Sequence, residues 1–200
     1  MIIYLDTNVI RDCFKHRNRD TIRLMEIIRE RKIKCKSSVF SIMELINVEK
    51  DHLFFNKRLL KGEEVSSILR KRSERDLKID ELNDLGGEIN TLLESYKFIG
   101  LVNLEGVGWE MAFGICRVGN LDADDSIHLA SAIGSGCDTL ITSDGFLKKE
   151  GTRIINSHNE VAKKDTNFNK ISLEILNPLE VLNKLTKTKK KNKKKSNNKK

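Results

Sequence analysis

Short apolar runs recur along the chain, and each has the length and composition of a buried β-strand. The first is Ile2-Ile3-Tyr4-Leu5, and the alternating segment Ile33-Lys34-Cys35-Lys36 predicts a second strand. Three further strands are predicted at residues 98–104, 138–141 and 171–176.

Between these runs, apolar residues recur every three or four positions, which predicts amphipathic helices. The predicted helices cover residues 8–15, 20–31, a long stretch from Ser38, two segments within 61–97, 107–118, 123–135, a short helix opening at the capping-box pattern Ser157-His-Asn-Glu160, and 178–185. Gly136 is the predicted C′ residue that stops the helix before it. Because strands alternate with helices, the predicted fold class is α/β, a parallel sheet of about four to five strands with helices on both faces.

Two hundred residues, 38% of them hydrophobic and 33% charged, fit one globular domain with a sizeable core. We predict a single domain over residues 1–185, with a helical insertion at about 50–97. Apolar residues of the insertion could form a homodimer or partner surface, although such residues more often belong to the core. They are Val65, Ile68, Leu69, Leu82, Leu85 and Ile89.

No segment has the pattern of a signal peptide or the length of a membrane span, so a cytoplasmic protein is expected. The four cysteines are widely spaced and form no CxxC pair, so we expect small buried apolar side chains and neither zinc ligands nor disulfides. They are Cys13, Cys35, Cys116 and Cys137.

The net charge of +8 is concentrated at one end of the chain. Residues 187–200 contain nine lysines and no acid, so subtracting nine from +8 leaves −1 for residues 1–186. The tail 186–200 lacks the apolar residues that would offset its ordering entropy, and it is predicted to be disordered. It could hold RNA or DNA through phosphate contacts, or it could be solvated without a partner. The lysines proposed for such contacts are Lys189, Lys190, Lys191, Lys193, Lys194 and Lys195.

Four acidic residues stand where a strand ends or a helix begins: Asp6, Glu44, Asp125 and Asp144. In an open α/β sheet, ligands bind in the crevice beyond the carboxyl ends of the strands. Carboxylates gathered there repel one another unless cations neutralise them. Their hard oxygens suit Mg²⁺ or Mn²⁺, which predicts metal-dependent chemistry on phosphate.

Each of these acids also has an ordinary structural reading. Asp6 is a good helix N-cap, and Asp144 before Gly145 fits a turn. Glu44 fits a capping box with Ser41, unless Ser38 is the cap and Glu44 lies inside the helix.

Asp125 complements a helix dipole at a helix start, although Asp122 and Asp124 stand beside it and are further candidate ligands. His128 shares the helix face of Asp125 and is more readily a buried histidine than a metal ligand.

Together the segments carrying these acids resemble the four motifs of PIN-domain nucleases, in order and in approximate spacing. They are Tyr4-Leu5-Asp6-Thr7-Asn8-Val9-Ile10, Ser38-Val39-Phe40-Ser41-Ile42-Met43-Glu44-Leu45, Asp125-Ser-Ile-His-Leu-Ala-Ser-Ala132 and Leu140-Ile-Thr-Ser-Asp144. The resemblance implies a Mg²⁺- or Mn²⁺-dependent endoribonuclease whose catalytic, metal-binding acids are Asp6, Glu44, Asp125 and Asp144. The neighbouring Thr7, Asn8, Thr142 and Ser143 would support them.

Many prokaryotic members of that family are VapC-type toxins, held inactive by an antitoxin and often dimeric. The stretch between Glu44 and the strand near residue 99 is long for a minimal toxin, and the lysine tail is not a family hallmark. Two other readings stay open: a non-catalytic nucleic-acid-binding or scaffold protein whose acids cap helices, and a nuclease for RNA maturation or structured DNA. No base-reading motif separates these substrates.

Overall fold

The structure is a computed structural model that describes the backbone of residues 1–197 and the side chains of residues 1–187. Its strands are β1 (Ile2–Leu5), β2 (Lys34–Ser38), β3 (Ile99–Val102), β4 (Thr139–Ile141) and β5 (Glu174–Leu176). Its α-helices are α1 (Thr7–Phe14), α2 (Arg19–Glu30), α3 (Val39–Leu59), α4 (Val65–Arg70), α5 (Ile79–Ser95), α6 (Val107–Val118), α7 (Ala123–Gly134), α8 (Gly145–Ala162) and α9 (Pro178–Asn197).

The five strands form one parallel sheet in the order β3-β2-β1-β4-β5, which confirms the predicted α/β class. Strand β1 is central, with β2 and β3 on one side of it and β4 and β5 on the other. The direction in which successive strands are added therefore reverses between β1 and β4. Such a reversal opens a crevice at the carboxyl ends of the two strands, where open α/β sheets bind their ligands. Asp6 follows β1 directly, and Asp144 lies three residues beyond the end of β4.

Burial along β1 shows that both faces of the sheet are covered. Ile3, Tyr4 and Leu5 each have 0% exposure, and successive side chains of a strand point to opposite faces. Tyr4 packs in a core cluster with Leu129 of α7 and Leu140 of β4. A strand that is buried on both sides reads as a continuous apolar run, which is why the sequence pattern identified it.

Local signals explain several helix boundaries. Asn18 caps α2, because its side-chain oxygen accepts hydrogen bonds from the amides of Asp20 and Thr21 at 3.0 and 3.3 Å. At the end of α7, Gly136 adopts a φ of 66°, the left-handed conformation expected of a C′ residue.

The predicted helix start at Ser157 is wrong. Residues 157–160 lie inside α8, which runs without interruption from Gly145 to Ala162. The polar residues there make tertiary contacts: Asn159 donates to the carbonyl of Ile171 at 2.9 Å and accepts from its amide at 2.8 Å. The spacing of Ser and Glu therefore mimics a capping box in the middle of a helix.

The chain divides into two compact units by its contacts. The first is Met1–Val39 together with the chain from Phe98 onward, and it contains the sheet; the second is Phe40–Lys97. The single domain over residues 1–185, with a helical insertion at about 50–97, stays a prediction.

Helices α3, α4 and α5 make up most of the second unit. Helix α5 continues through Gly86 and Gly87, which do not break it. Of the apolar residues proposed for a partner surface, Ile68, Leu85 and Ile89 are buried. Val65 and Leu69 are about half exposed.

Ion pairs join separate segments of the same unit. Arg58 contacts Glu63 at 2.7 Å and Asp76 at 3.0 Å, and Lys57 contacts Glu81 at 3.0 Å. These pairs tie the end of α3 to the segments around α4 and the start of α5.

The end of the chain extends the predicted closing helix. Helix α9 begins at Pro178, as predicted, and continues to Asn197, well past the expected end near residue 185. The lysine side chains proposed for nucleic-acid contacts lie outside the described residues, and disorder of the tail stays a prediction. Among the described residues, no helix combines the length and the apolarity that a membrane span requires.

Cysteines Cys13, Cys35 and Cys137 are buried and Cys116 is half-buried, and all four are free thiols. Burial, reinforced by the neighbouring thiols, raises the pKa of Cys35 to about 12. These side chains therefore act as small apolar groups, as predicted.

Truncating a buried side chain of the sheet should destabilise the protein far more than the same truncation at the surface. Leu140→Ala removes a side chain with 0% exposure and should lower the free energy of unfolding by about 2–5 kcal/mol. Leu60→Ala, at 89% exposure, should change it by no more than about 0.5 kcal/mol. Urea denaturation measures both, and equal losses would contradict the described core.

Candidate active site

Asp6 lies at the carboxyl end of the central strand, with only 4% exposure. Its Oδ1 accepts a hydrogen bond from the amide of Thr7 at 2.6 Å, which caps α1. Its Oδ2 accepts from Asn8 Nδ2 and from Thr142 Oγ1, both at 2.6 Å. His128 Nε2 lies 3.3 Å from Oδ1. Short hydrogen bonds to both oxygens stabilise the ionised carboxylate and fix its orientation.

Thr142 joins the ends of the two strands that flank the crevice. Its hydroxyl donates to Asp6, and it accepts from the amide of Asp144 at 2.8 Å and from Asn8 Nδ2 at 3.2 Å. Asn8 Oδ1 in turn accepts from the amide of Ser143 at 2.9 Å. The buried Thr142 hydroxyl thus ties Asp6 to the backbone that carries Asp144.

Asp144 caps α8, because its Oδ1 accepts from the amides of Phe146 and Leu147 at 2.6 and 3.1 Å. Both cap bonds use one oxygen. Within the described part of the chain, no protein donor reaches the other oxygen, Oδ2. The side chain is exposed, so Oδ2 is accessible to a ligand in the crevice.

Asp125 is the third residue of α7 and is half-buried. Burial is the main reason that its pKa rises to about 7, and the negative charges of Asp122, Asp144 and Asp6 raise it further. A positive charge on His128 would act in the opposite direction. Among the described residues no donor contacts the Asp125 carboxyl, unlike that of Asp6. Asp6, Asp125 and Asp144 therefore share one negative field in which Asp125 is poorly compensated.

The neighbouring acids have different roles. Asp122 is the N-cap of α7, where its Oδ1 accepts from the amide of Asp125 at 3.0 Å. Asp124 lies in the first turn of the same helix and is exposed. The charge of Asp122 raises the pKa of Asp125. Because the capping bond uses Oδ1 of Asp122, it competes with the proposed role of this residue as an extra metal ligand.

His128 is buried, with 1% exposure, as the sequence favoured. Its Nδ1 lies 3.0 Å from the hydroxyl of Tyr4, and its Nε2 lies 3.2 Å from Thr7 Oγ1. Sequence reasoning treated Tyr4 only as an apolar strand residue. The signal for its second role was a buried phenol, which needs a polar partner.

Glu44 belongs to the second unit. It is the sixth residue of α3 and is half-buried. Because α3 begins at Val39, Glu44 lies inside the helix and not at a capping-box position with Ser41. The Glu44 side chain is therefore not part of the N-terminal cap of α3.

The residue types fit a divalent cation. Within the first unit, Asp6 and His128 are side chains that could hold a metal ion, and Asp125 and Asp144 offer further carboxylate oxygens. Carboxylate oxygens suit Mg²⁺ and Mn²⁺, and an imidazole would add affinity for Zn²⁺. A cation near Asp125 would also relieve the repulsion that raises its pKa.

An apolar cavity of about 590 Å³ lies elsewhere in the first unit, lined by residues of α6 and α8 such as Met111, Ile115 and Ile154. Its lining contains none of the candidate acids. The candidate acids therefore lie outside this cavity, although its lining includes the polar side chains Arg153, Ser157 and His158.

No family model and no curated protein matches the chain. Among solved structures, it is similar to a chain of VapBC2 from Rickettsia felis, determined bound to a DNA fragment from the promoter. The two share 12% sequence identity, with 88% of this chain and 98% of that chain covered, and a TM-score of 0.46. A likeness this distant assigns no activity to the chain.

Asp125 should make the metal-free protein less stable as the pH rises. The folded state holds the Asp125 proton up to about pH 7, whereas an unfolded aspartate loses it near pH 3.9. Stability should therefore fall between about pH 4 and pH 7. Asp125→Asn cannot ionise and should be more stable than the wild type above pH 7, by about 1–2 kcal/mol after allowance for solvent screening.

Thermal or urea denaturation in a chelating buffer at pH 4, 6 and 8 measures this effect. The control is Asp84→Asn, which removes an exposed carboxylate of α5 that is not among the candidate acids. A difference for Asp125→Asn that is constant across this range would mean that the carboxyl titrates normally.

Proposed function

We propose that this protein is a Mg²⁺- or Mn²⁺-dependent endoribonuclease that cleaves RNA phosphodiester bonds. The observation that carries the proposal is the uncompensated Asp125 carboxyl in the field of Asp6 and Asp144, beside the switch point of the parallel sheet. Folding places like charges together at a cost in stability, and a bound cation is the usual reason for such an arrangement.

Asp6, Asp125 and Asp144 are the proposed metal ligands. Glu44 is proposed as a fourth carboxylate, since it follows the end of β2 by six residues and the resemblance to PIN-domain nucleases assigns it that part. Asp122 and Asp124 are candidates for an extra contact. A divalent cation held by these oxygens would activate a water nucleophile and stabilise charge on the scissile phosphate.

The protein groups around the acids prepare them for this chemistry. Thr142 and Asn8 hold the Asp6 carboxylate through Oδ2, and the amide of Thr7 holds it through Oδ1. Asp144 makes both of its capping bonds through Oδ1, which leaves Oδ2 without a donor among the described residues. A carboxylate that is oriented before its ligand arrives loses little freedom on binding, which favours affinity.

The biological role is a further step of the proposal. The four motif segments resemble those of VapC-type toxins, so we propose that the nuclease is held inactive by an antitoxin protein and that it forms a homodimer. The lysines of the tail would add salt-sensitive contacts to RNA.

Asp144→Asn should abolish RNA cleavage without unfolding the protein. Asparagine caps a helix as well as aspartate does, so α8 should keep its start while one charged ligand is lost. Asp6→Asn is a less clean test, because the amide of asparagine would meet groups that now donate to Oδ1 and Oδ2. The measurement is cleavage of total RNA with Mg²⁺ or Mn²⁺, expected to fall at least about 100-fold.

The matched control is Asp165→Asn. Asp165 also accepts a hydrogen bond from a nearby amide, that of Asn167 at 2.9 Å, and it lies outside the proposed site. This variant should cleave like the wild type. Full activity of Asp144→Asn would refute the assignment of that residue.

Chelation separates an enzyme from a nucleic-acid-binding protein. With EDTA, RNA cleavage should stop, and excess Mg²⁺ or Mn²⁺ should restore it. A non-catalytic binding protein would show no cleavage under either condition, and its RNA affinity would respond to salt instead. Parallel assays on single-stranded RNA, structured RNA and structured DNA would distinguish the remaining substrate classes.

A further inference from the structure

The hydroxyl of Tyr4 is a polar group in the middle of the core. The Tyr4 side chain has 0% exposure and stands in the central strand. Among the described residues its hydroxyl has one polar neighbour, Nδ1 of His128 at 3.0 Å. The two rings meet edge to face, with centroids 6.0 Å apart, so packing also holds this contact.

The burial of Tyr4 decides the direction of this hydrogen bond. A buried phenol that accepted from Nδ1–H would leave its own O–H without an acceptor, which is unfavourable in an apolar core. A phenol that donates to Nδ1 leaves no donor unsatisfied. The neutral imidazole then carries its proton on Nε2.

The other side of the ring favours the same tautomer. Nε2 lies 3.3 Å from Oδ1 of Asp6 and 3.2 Å from Oγ1 of Thr7. An ionised carboxylate can only accept, so an Nε2–H group is attracted to Oδ1, whereas an Nε2 lone pair would be repelled. Two independent neighbours, Tyr4 and Asp6, therefore select one proton position.

We propose that Tyr4 and His128 form a positioning relay: the Tyr4 hydroxyl donates to Nδ1, and Nε2–H donates to Asp6. His128 then orients a metal ligand and is not a ligand itself, although its residue type would allow it. The cation site keeps an all-oxygen character, which favours Mg²⁺ and Mn²⁺ over Zn²⁺. The preference for Mg²⁺ and Mn²⁺ rests on the proposed function, whereas the hydrogen-bond directions do not.

The directions can be read by ¹⁵N NMR of the four histidine side chains in the metal-free, full-length protein at about pH 8. His128 should show a protonated Nε2 and an unprotonated, hydrogen-bonded Nδ1. Tyr4→Phe should shift the Nδ1 resonance of His128, because its donor is lost. Tyr96→Phe, which deletes the other tyrosine hydroxyl of the chain, should leave that resonance unchanged.

A wild-type His128 protonated on Nδ1, alone or together with Nε2, would overturn the proposal. This NMR measurement is made on the wild-type protein, so it depends neither on the folding of a variant nor on RNA cleavage activity. It therefore stands even if the protein proves not to be a nuclease.

Metal affinity tests the positioning role separately. Glutamine can replace Nε2–H with an amide N–H but offers Zn²⁺ no imidazole, so His128→Gln should bind Mn²⁺ within about threefold of the wild type. His128→Met removes the donor and should weaken Mn²⁺ binding by about tenfold or more. Calorimetric titration with Mn²⁺ and with Zn²⁺ measures both variants.

A direct ligand role for His128 predicts a different outcome. Glutamine and methionine would then weaken binding alike, and the loss would be largest for Zn²⁺; that result would overturn the proposal. A wild-type protein that binds neither metal would instead count against the proposed function, and the NMR result would still decide the hydrogen-bond directions.

Discussion

The site depends on a single buried negative charge at the end of the central strand. Protein donors reach both oxygens of the Asp6 carboxyl, from the backbone at Thr7 and from the side chains of Asn8 and Thr142, and such donors stabilise the ionised form. The side chains of Asn8 and Thr142 also connect the ends of β1 and β4. The same hydrogen bonds therefore fix both the geometry of the crevice and the orientation of the Asp6 carboxylate. A change in any of these contacts would alter both.

Asp125 lies in the field of that charge without equivalent compensation from the described residues. Asp125 has burial and three like charges against it, which is why its pKa rises to about 7. Asp6 and Asp125 thus differ in their surroundings. Protein donors bind both oxygens of Asp6, whereas among the described residues no donor contacts the Asp125 carboxyl. The contrast between them supports a cation site more strongly than the number of acids does.

The sequence predicted the strands and the edge residues well, because both follow from local patterns. The apolar run before Asp6 is a strand buried on both faces, and parallel strands bring their carboxyl ends to one edge. The start of α7 at a group of aspartates and its end at Gly136 also follow from local chemistry.

What the sequence could not predict depends on long-range contacts. Asn159, within the segment 157–160, forms two hydrogen bonds with Ile171, and the segment does not open a helix. Tyr4 and His128 are 124 residues apart, and only the fold shows that a strand residue supplies the partner of a helix residue. Likewise, the sequence shows which residues are acidic, whereas the lack of donors to Asp125 among the described residues depends on the tertiary structure.

Helix capping and metal binding are compatible readings of the same residues. A capping aspartate can accept the helix amides through one oxygen, which leaves its second oxygen for another ligand. Asp144 shows this division, with two amides on Oδ1 and no described protein donor on Oδ2. Asp6 differs, because both of its oxygens already accept hydrogen bonds, so an approaching cation would have to share Oδ1 or Oδ2 with a present donor. A cation should therefore meet Asp144 and Asp125 with little rearrangement, while Asp6 sets the position of the site through the donors that hold it.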